Sequence, residues 1–343
     1  MITAAPRDDP VASWRRPVRQ SSHPSMNDPL PPGSIDRPPV STGLDHLSLL
    51  IARGPDARTF LDSQLTRNVP PAASKGTAST ASPFGYCSPK GRLLANGVLW
   101  ADENAISLLL SRDIAEAIAR RLRMYVLRAQ VTLDDVTAHT PMAGLVDPVT
   151  ALPEMASWTA RTVDDVIWVR YPDVDARPRY LRIGGSAADG VVDAASWRWL
   201  DIRAGLPRIG AGTQDRFVPQ MLNLEALGAV DFKKGCFPGQ EVVARSQYLG
   251  KLKRRMSLAS LGPSADLPAP GSDVWKTGDH EACGLVVNAE RGPDGRIALL
   301  AELPLAQFAA ADLHVGSIDG PTLTLEPLPY ALPDNEVFVR PKL

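Results

Sequence analysis

The chain has 343 residues and an almost balanced charge, with 37 Lys and Arg against 38 Asp and Glu. At about 150 residues per domain this length predicts two or three compact units, and the charge balance argues against extensive binding to nucleic acids or membrane surfaces. No apolar run reaches the ~20 residues that cross a bilayer, and no signal-peptide core is present near the start. We therefore expect a cytoplasmic protein.

Residues 1–40 mix Pro, Ser, Arg and Asp without an apolar period, which predicts a disordered tail, and Met26 within it is an alternative start. After this tail, His46–Arg53 predicts a buried strand. Gly54-Pro55 then opens a predicted helix over Asp56–Leu65, with proline near its first turn.

Two apolar runs, Leu93–Trp100 and Ala105–Ser111, flank a polar turn and predict a hairpin. Asp113 and Glu116 have the spacing of a capping box, with Asp in place of Ser or Thr, and predict the start of a second helix. The inner face of that helix is predicted to be Ile114, Ile118, Leu122 and Tyr125. Further strands are predicted at Val131–Leu133, Val166–Val169 and Tyr180–Ile183. This order of elements indicates an α+β fold rather than a doubly wound parallel sheet.

After Met256, short β-rich runs alternate with turns at intervals of roughly 10–15 residues, which is typical of a small antiparallel barrel or sandwich. We therefore expect three parts. These are the tail over residues 1–40, an α+β region of two subdomains over 41–255, and a C-terminal β-barrel over 256–343.

Three cysteines, Cys87, Cys236 and Cys283, and five histidines are scattered along the chain. Their spacing is neither that of a disulfide framework nor that of a metal site. We therefore expect no metal ligands: neither a zinc site nor an iron–sulfur cluster held by the thiolates of one chain.

The segment DFKKGCFPGQE, residues 231–241, differs from the rest of the chain. Its thiol, Cys236, stands beside Lys233 and Lys234 and before a predicted helix at Val242–Gln247. Positive charge and free backbone N–H groups at a helix start would stabilise the thiolate.

Other residues of the same segment also have candidate roles. Gly235 and Gly239 lack side chains and let a ligand approach the backbone, while Gln240 and Glu241 can exchange hydrogen bonds or a proton. The alternative is a cysteine buried beside a tight turn with its lysines in solvent. We favour the functional interpretation because the whole set is so compact.

Two more segments carry candidate binding residues. Gly85–Arg92 predicts a hairpin turn; its Lys90 and Arg92 offer charges for an anion, but the order of a P-loop is absent. In an extended conformation Trp197 and Trp199 would share one strand face and offer a stacking surface for a flat heterocycle, with Arg203 as an anion partner. The alternative, two tryptophans in the core, is the more frequent case.

These segments, in this order, resemble the YgfZ branch of the folate-binding GcvT-like family. The family signature, K-G-C-[FY]-x-G-Q-E, is matched by KGCFPGQE at residues 234–241. Supporting matches are FLDSQLT at residues 60–66, FVPQMLNL at 217–224, VAR at 243–245 and EPLPY at 326–330. The resemblance covers roughly residues 43–335.

The resemblance implies a pseudo-threefold ring of domains around a central hole that binds tetrahydrofolate or another reduced folate, plus the C-terminal β-barrel. It also implies that Cys236 is the essential thiol and that Trp197 belongs to the folate pocket. The family's other folate position falls near Leu47, which is aliphatic in this chain.

The function that the resemblance implies is that of a folate-dependent accessory factor for assembly or repair of iron–sulfur clusters in client enzymes. Those clients include radical enzymes that thiomethylate tRNA, and the partners would be client enzymes and cluster carriers rather than nucleic acid or membranes. Two alternatives remain open: a tetrahydrofolate-dependent aminomethyltransferase of the glycine cleavage type, and a non-catalytic folate-binding scaffold. The signature favours an accessory factor over a turnover enzyme.

Overall fold

The computed structural model of the chain describes residues 43–74, 77–148, 154–185, 191–248, 252–308 and 312–333. The predicted tail, with Met26, lies outside these residues. The described chain forms an α+β fold of two antiparallel sheets, four α-helices and a barrel. None of its described helices is long and apolar enough to cross a membrane.

The first unit is a five-stranded antiparallel sheet with strand order β3-β4-β5-β1-β6. Its strands are β1 (Leu47–Arg53), β3 (Ser82–Cys87), β4 (Leu93–Ala101), β5 (Ile106–Ser111) and β6 (Thr132–Asp135), and its helices are α1 (Ala57–Gln64) and α2 (Arg112–Met124). The predicted first strand, first helix and hairpin are thereby confirmed. The hairpin turn predicted before β4 is also confirmed, because the Ser88 backbone N–H donates to the Arg92 carbonyl at 2.8 Å.

The start of α2 differs from the prediction. The helix begins at Arg112, and its N-cap, Ser111, makes no side-chain cap bond, so the proposed capping box of Asp113 and Glu116 is wrong. The Asp113 carboxylate instead accepts the backbone N–H of Ala211 at 2.8 Å and ties α2 to a distant loop. At the other end Tyr125 follows the helix and is exposed, so it does not belong to the inner face.

The second unit is a six-stranded antiparallel sheet with strand order β11-β7-β10-β9-β8-β2. Its own strands are β7 (Met142–Val146), β8 (Thr159–Val163), β9 (Val166–Val174), β10 (Arg177–Ile183) and β11 (Val191–Val192). The edge strand β2 (Ala78–Thr80) comes from the chain of the first unit and pairs with β8. Helix α3 (Ala194–Arg203) follows, and its N-cap Asp193 accepts the Ser196 N–H at 2.7 Å.

The last unit is a closed antiparallel barrel, as the turn spacing predicts. Its strands, in the order β12-β15-β14-β13-β16-β17, are β12 (Arg254–Leu261), β13 (Asp273–Lys276), β14 (Gly284–Arg291), β15 (Ile297–Pro304), β16 (Leu313–Val315) and β17 (Thr322–Glu326). A separate apolar cluster that includes Val274, Leu299 and Leu303 fills its interior. Before it, α4 (Gln240–Tyr248) follows the cysteine segment.

Contacts with the helices and loops of the first two units hold the barrel in place. The Arg198 guanidinium of α3 pairs with Glu290 of β14 at 2.6 Å. After the last strand the chain leaves the barrel, and the Tyr330 hydroxyl donates to the Gly205 carbonyl at 2.9 Å. Gly205 has φ +66°, and a Cβ at this position would lie 2.6 Å from the Tyr330 ring, so the close approach requires glycine.

Candidate functional site

A cavity, here called the central cavity, lies where the two sheets meet the segment that follows α3. Its volume is ≈ 70 Å³, and it is partly open to solvent. Apolar side chains from both sheets and from this segment supply much of its surface, among them Leu47, Val98, Leu109, Leu206, Leu224 and Leu227. Leu47, predicted as a cofactor residue, therefore lines the cavity.

One wall of the cavity is aromatic. The rings of Trp158 and Tyr171 line it, with centroids 5.1 Å apart and planes tilted by 53°. Trp158 has φ +61°, a left-handed conformation that is rare for a bulky residue. Two backbone hydrogen bonds hold it there, from the Trp158 N–H to Arg170 and from Ala81 to the Trp158 carbonyl. Such strain occurs most often at functional sites.

Trp197 lies behind this wall rather than in it. Its ring packs edge-on against Tyr171 at 5.2 Å and is fully buried. The shared face predicted for Trp197 and Trp199 is wrong, because both lie in α3, where residues two apart point to different sides. Trp199 instead packs near Gly292 of the barrel. Trp197 thus does not line the cavity and packs behind it against Tyr171.

A carboxylate also faces the cavity. Asp201 of α3 lines the wall, and its Oδ1 is 3.1 Å from a guanidinium nitrogen of the fully buried Arg179. The same guanidinium lies 5.0 Å from the Trp197 ring centroid and donates to the Pro172 carbonyl. Burial raises the pKa of Asp201, and the charge of Arg179 opposes that shift. The ion pair with Arg179 therefore holds the Asp201 carboxylate, a hydrogen-bond acceptor, in one position.

Arg203, predicted as an anion partner, lies elsewhere. Its guanidinium pairs with Glu326 of β17 and sits 5.8 Å from the Trp199 ring. It does not line the cavity. The reason is the same as for the tryptophans: in a helix, its side chain faces the barrel rather than the wall that carries Asp201.

The cysteine segment forms a second, separate surface. Cys236 is exposed and faces an open groove with Pro89, Gln240 and Tyr248, and it does not line the central cavity. Helix α4 begins at Gln240, so the thiol lies in the loop before the helix and not in its first turn. Glu241 borders the same groove and forms an exposed ion pair with Arg245 at 2.8 Å.

Lys234 points into the protein. Its ammonium donates to the carbonyls of Asp62 and Leu65, with 2.6 Å to Leu65, and lies 5.1 Å from the Phe237 ring centroid. These carbonyls belong to the end of α1, where helical partners are lacking, so the lysine caps that helix. Burial lowers the pKa of Lys234 to about 8, and the charges of Asp62 and Asp231 oppose that shift. The signature lysine thus anchors the loop.

The two glycines of the segment differ. Gly239 has φ +79°, and a Cβ there would lie 2.5 Å from the nitrogen of Gly91 and closer still to the Ser88 carbonyl oxygen. The loop therefore rests directly on the turn between β3 and β4. A Cβ at Gly235, in contrast, would meet nothing within 4 Å. Packing explains Gly239 but not Gly235.

Comparison with known proteins gives the family. No protein-family model matches the chain. It is 30% identical over 352 aligned positions to the tRNA-modifying protein YgfZ of Edwardsiella ictaluri (strain 93-146), covering 91% of this chain and 100% of that protein. The chain belongs to the YgfZ family. A YgfZ of Enterobacter sp. (strain 638) is 29% identical, with 89% and 98% of the two chains covered.

The fold of this YgfZ-family chain is also that of a solved structure. It matches the glycine cleavage system aminomethyltransferase T from Bartonella henselae with a TM-score of 0.61 at 14% identity, over 84% of this chain and 85% of that one. The expected GcvT-like architecture with a C-terminal barrel is thereby confirmed. At this identity the match shows the fold alone.

The anchoring role of Lys234 gives a stability prediction. Lys234→Met should lower the free energy of unfolding by about 3 kcal/mol, because it removes two charge-assisted hydrogen bonds and leaves buried carbonyls without a donor. Urea titration measures this, and Lys233→Met at the exposed neighbour is the control, expected within about 0.5 kcal/mol of the parent. Equal stability of the two variants would show that Lys234 does not hold the loop.

The three thiols should differ in reactivity. Cys87 is buried, and burial raises its pKa to about 12; burial also raises the pKa of the half-buried Cys283. Cys236 is exposed, so limiting iodoacetamide should modify it at least about tenfold faster than the other two. Peptide mapping over time measures the three rates, with Cys236→Ser as the control. Faster labelling of Cys283 than of Cys236 would contradict the prediction.

Within the described residues, no three His, Cys, Asp or Glu side chains lie together as a metal site. That the whole chain holds no metal ion remains a prediction. Anaerobic purification followed by iron, sulfide and zinc analysis tests it. Stoichiometric metal on the isolated protein would mean that ligands outside the cysteines have been missed.

Proposed function

We propose that this YgfZ-family protein binds a reduced folate in the central cavity and supports assembly or repair of iron–sulfur clusters in client enzymes through Cys236. The observation that carries the proposal is that the fold presents two separate sites. One is a partly open cavity of ≈ 70 Å³, and the other is an exposed thiol in an anchored loop. The relatives are named tRNA-modifying protein, which supports clients that act in tRNA modification.

The cavity has the chemistry that a reduced folate requires. Trp158 and Tyr171 offer ring faces and edges for a flat heterocycle, and Leu47 offers apolar contact from the opposite sheet. Asp201 offers an acceptor for N–H donors of the ligand, fixed by Arg179. A bound reduced folate would supply a carrier for one-carbon units. In this proposal Trp197 acts by holding Tyr171 in place.

The position of Cys236 favours a protein partner as its target. A thiol on an open groove can meet a cluster carrier or a client, whereas the folate would lie in a different space. The cluster is cargo, and Cys236 supplies at most one ligand to it, the others coming from the partner or from glutathione. Gln240 and Glu241 border the groove and would contact the partner. The protein need not touch tRNA itself, and we place it in the cytoplasm with its clients.

Folate binding can be tested at Tyr171. Tyr171→Leu should weaken binding of 5-formyltetrahydrofolate by about tenfold or more, because it removes the ring that forms the wall. Calorimetry on the folded variant measures this, with Tyr125→Leu at an exposed tyrosine as the matched control. Trp197→Ala is a poorer test, because loss of a fully buried tryptophan costs about 3–5 kcal/mol of stability. Unchanged affinity in Tyr171→Leu would refute this placement of the folate.

The accessory role can be tested in cells. A deletion strain complemented with Cys236→Ala should lose client-enzyme activity, whereas Cys283→Ala should retain it, because only the first thiol is exposed. Full activity of Cys236→Ala would favour the non-catalytic scaffold. Turnover of tetrahydrofolate with an aminomethylated lipoyl carrier would favour the aminomethyltransferase.

A further inference from the structure

Arg208 lies between two spaces. It lines the central cavity and also a second space, here called the outer pocket, which is bordered by His46, Arg112, Asp113 and Pro270. The backbone of Arg208 is fixed by the barrel, since its N–H donates to Asn288 Oδ1 at 2.7 Å and its carbonyl accepts from Asn288 Nδ2 at 2.9 Å. The cavity and the outer pocket therefore share Arg208, whose backbone is fixed, together with Ser111.

The Arg208 guanidinium has no partner within the described residues. Two fully buried arginines have one: Arg179 pairs with Asp201 at 3.1 Å and Arg255 with Glu225 at 2.6 Å. No hydrogen bond or ion pair joins the side chain of Arg208, although protein encloses it closely enough that burial lowers its pKa. An unpaired cation in such a place costs free energy, and an anionic ligand would remove that cost.

The surroundings are suited to an anion. Both ring nitrogens of His46 are buried without a hydrogen-bond partner. Burial and the charges of Arg208 and Arg198 lower the pKa of His46 to about 2, so the ring is neutral and can still donate one N–H. Helix α2 begins at Arg112 and adds the positive end of its dipole.

Two carboxylates also border the outer pocket, and they do not cancel Arg208. The Asp113 carboxylate already accepts the Ala211 N–H at 2.8 Å, and Asp45 is exposed, so water screens its charge. Asp201 also acts electrostatically on Arg208, but its Oδ1 is paired with Arg179 at 3.1 Å, so Arg208 keeps no hydrogen bond or ion pair of its own within the described residues.

We propose that the guanidinium of Arg208 binds a carboxylate of the ligand in the central cavity, and that the outer pocket receives the acidic end of that ligand. The inference rests on the proposed function and deepens it: a reduced folate carries its carboxylates at the end opposite its ring system. On this basis Arg208 selects folates with a free glutamyl group.

The test compares two ligands on two proteins. The ligands are 5-formyltetrahydrofolate and its glutamyl diamide, which has the same shape without the negative charges. Wild type should bind the folate about tenfold or more tightly than the diamide, and Arg208→Met should bind both equally, at the affinity of the diamide. Arg216→Met, at an exposed arginine, should behave as wild type.

Stability separates a ligand role from a structural one. Because Arg208 has no protein partner, Arg208→Met should keep or raise the urea midpoint of the ligand-free protein. The inference is overturned if Arg208→Met still binds the free acid more tightly than the diamide, or if it lowers the affinity for both ligands by the same factor. Either result leaves the folate proposal intact. Failure of wild type to bind either ligand would overturn both. Tight binding of inorganic phosphate at Arg208 that folate does not displace would indicate a site for a free anion and contradict the inference.

Discussion

Replacing Gly239 by alanine should dislodge the cysteine loop and abolish complementation in cells. An alanine at φ +79° is strained, and its Cβ would lie 2.5 Å from the backbone of Gly91, which cannot move without distorting the turn between β3 and β4. The backbone strain and the overlap each cost about 1–3 kcal/mol, so the loop should detach from the turn.

Gly235→Ala provides the matched control. Its Cβ would meet nothing within 4 Å, so its stability should equal that of the parent. Urea unfolding, protease sensitivity of residues 231–241 and complementation measure both variants. If Gly239→Ala keeps its stability and its activity, the contact between loop and turn is not essential. If Gly235→Ala is stable but inactive, Gly235 serves the approach of a partner or ligand, as its place in the signature predicts.

The second large effect on stability is expected where the barrel packs against the rest of the chain. Arg255 of β12 pairs with Glu225 at 2.6 Å, and both side chains are almost fully buried, at 3% and 4% exposure. The same guanidinium lies 3.2 Å from the Asn223 side-chain oxygen. Arg255→Met should cost about 3–5 kcal/mol, because it leaves the Glu225 carboxyl buried without its cation.

The double variant tests that reason. Arg255→Met combined with Glu225→Gln removes both charges and should recover much of the stability lost by the single change, as measured by urea titration. Burial already raises the pKa of Glu225, so the lone carboxyl of the single variant should take up a proton on folding at neutral pH. A single variant that loses less than about 1 kcal/mol would show that this pair contributes little.

The sequence predicts elements well where the evidence for them is local. The two apolar runs of β4 and β5 and the turn spacing of the barrel depend on neighbours within a few residues, and both predictions are confirmed. The signature was recognised as a unit, but the role of its lysine was not predictable. Only the fold brings Lys234 to the carbonyl of Leu65, 169 positions earlier in the chain.

The cavity illustrates what local patterns miss. Trp158, Tyr171, Asp201 and Arg208 line it, and nothing near any of them in sequence marks a site, because their proximity arises from two sheets and a helix packing together. The strand predicted for Trp197 and Trp199 is wrong because a spacing of two residues between tryptophans resembles a strand pattern although both lie in α3. Tertiary packing buries both indoles on different sides of a helix. Arg208 is found only by asking which half-buried charge has no hydrogen bond or ion pair within the described part of the chain.

Strand β2 belongs to the first unit in sequence but to the second sheet in space, and this affects how the molecule folds and how it can be divided. Residues 78–80 belong to the first half of the chain but complete the edge of the second sheet, where Ala78 pairs with Arg161. A fragment that starts after β6 would present β8 as an open edge, which invites association with other chains. The pairing also links positions about 80 residues apart, which slows folding. The two halves are therefore expected to melt as one cooperative unit and to resist separate expression.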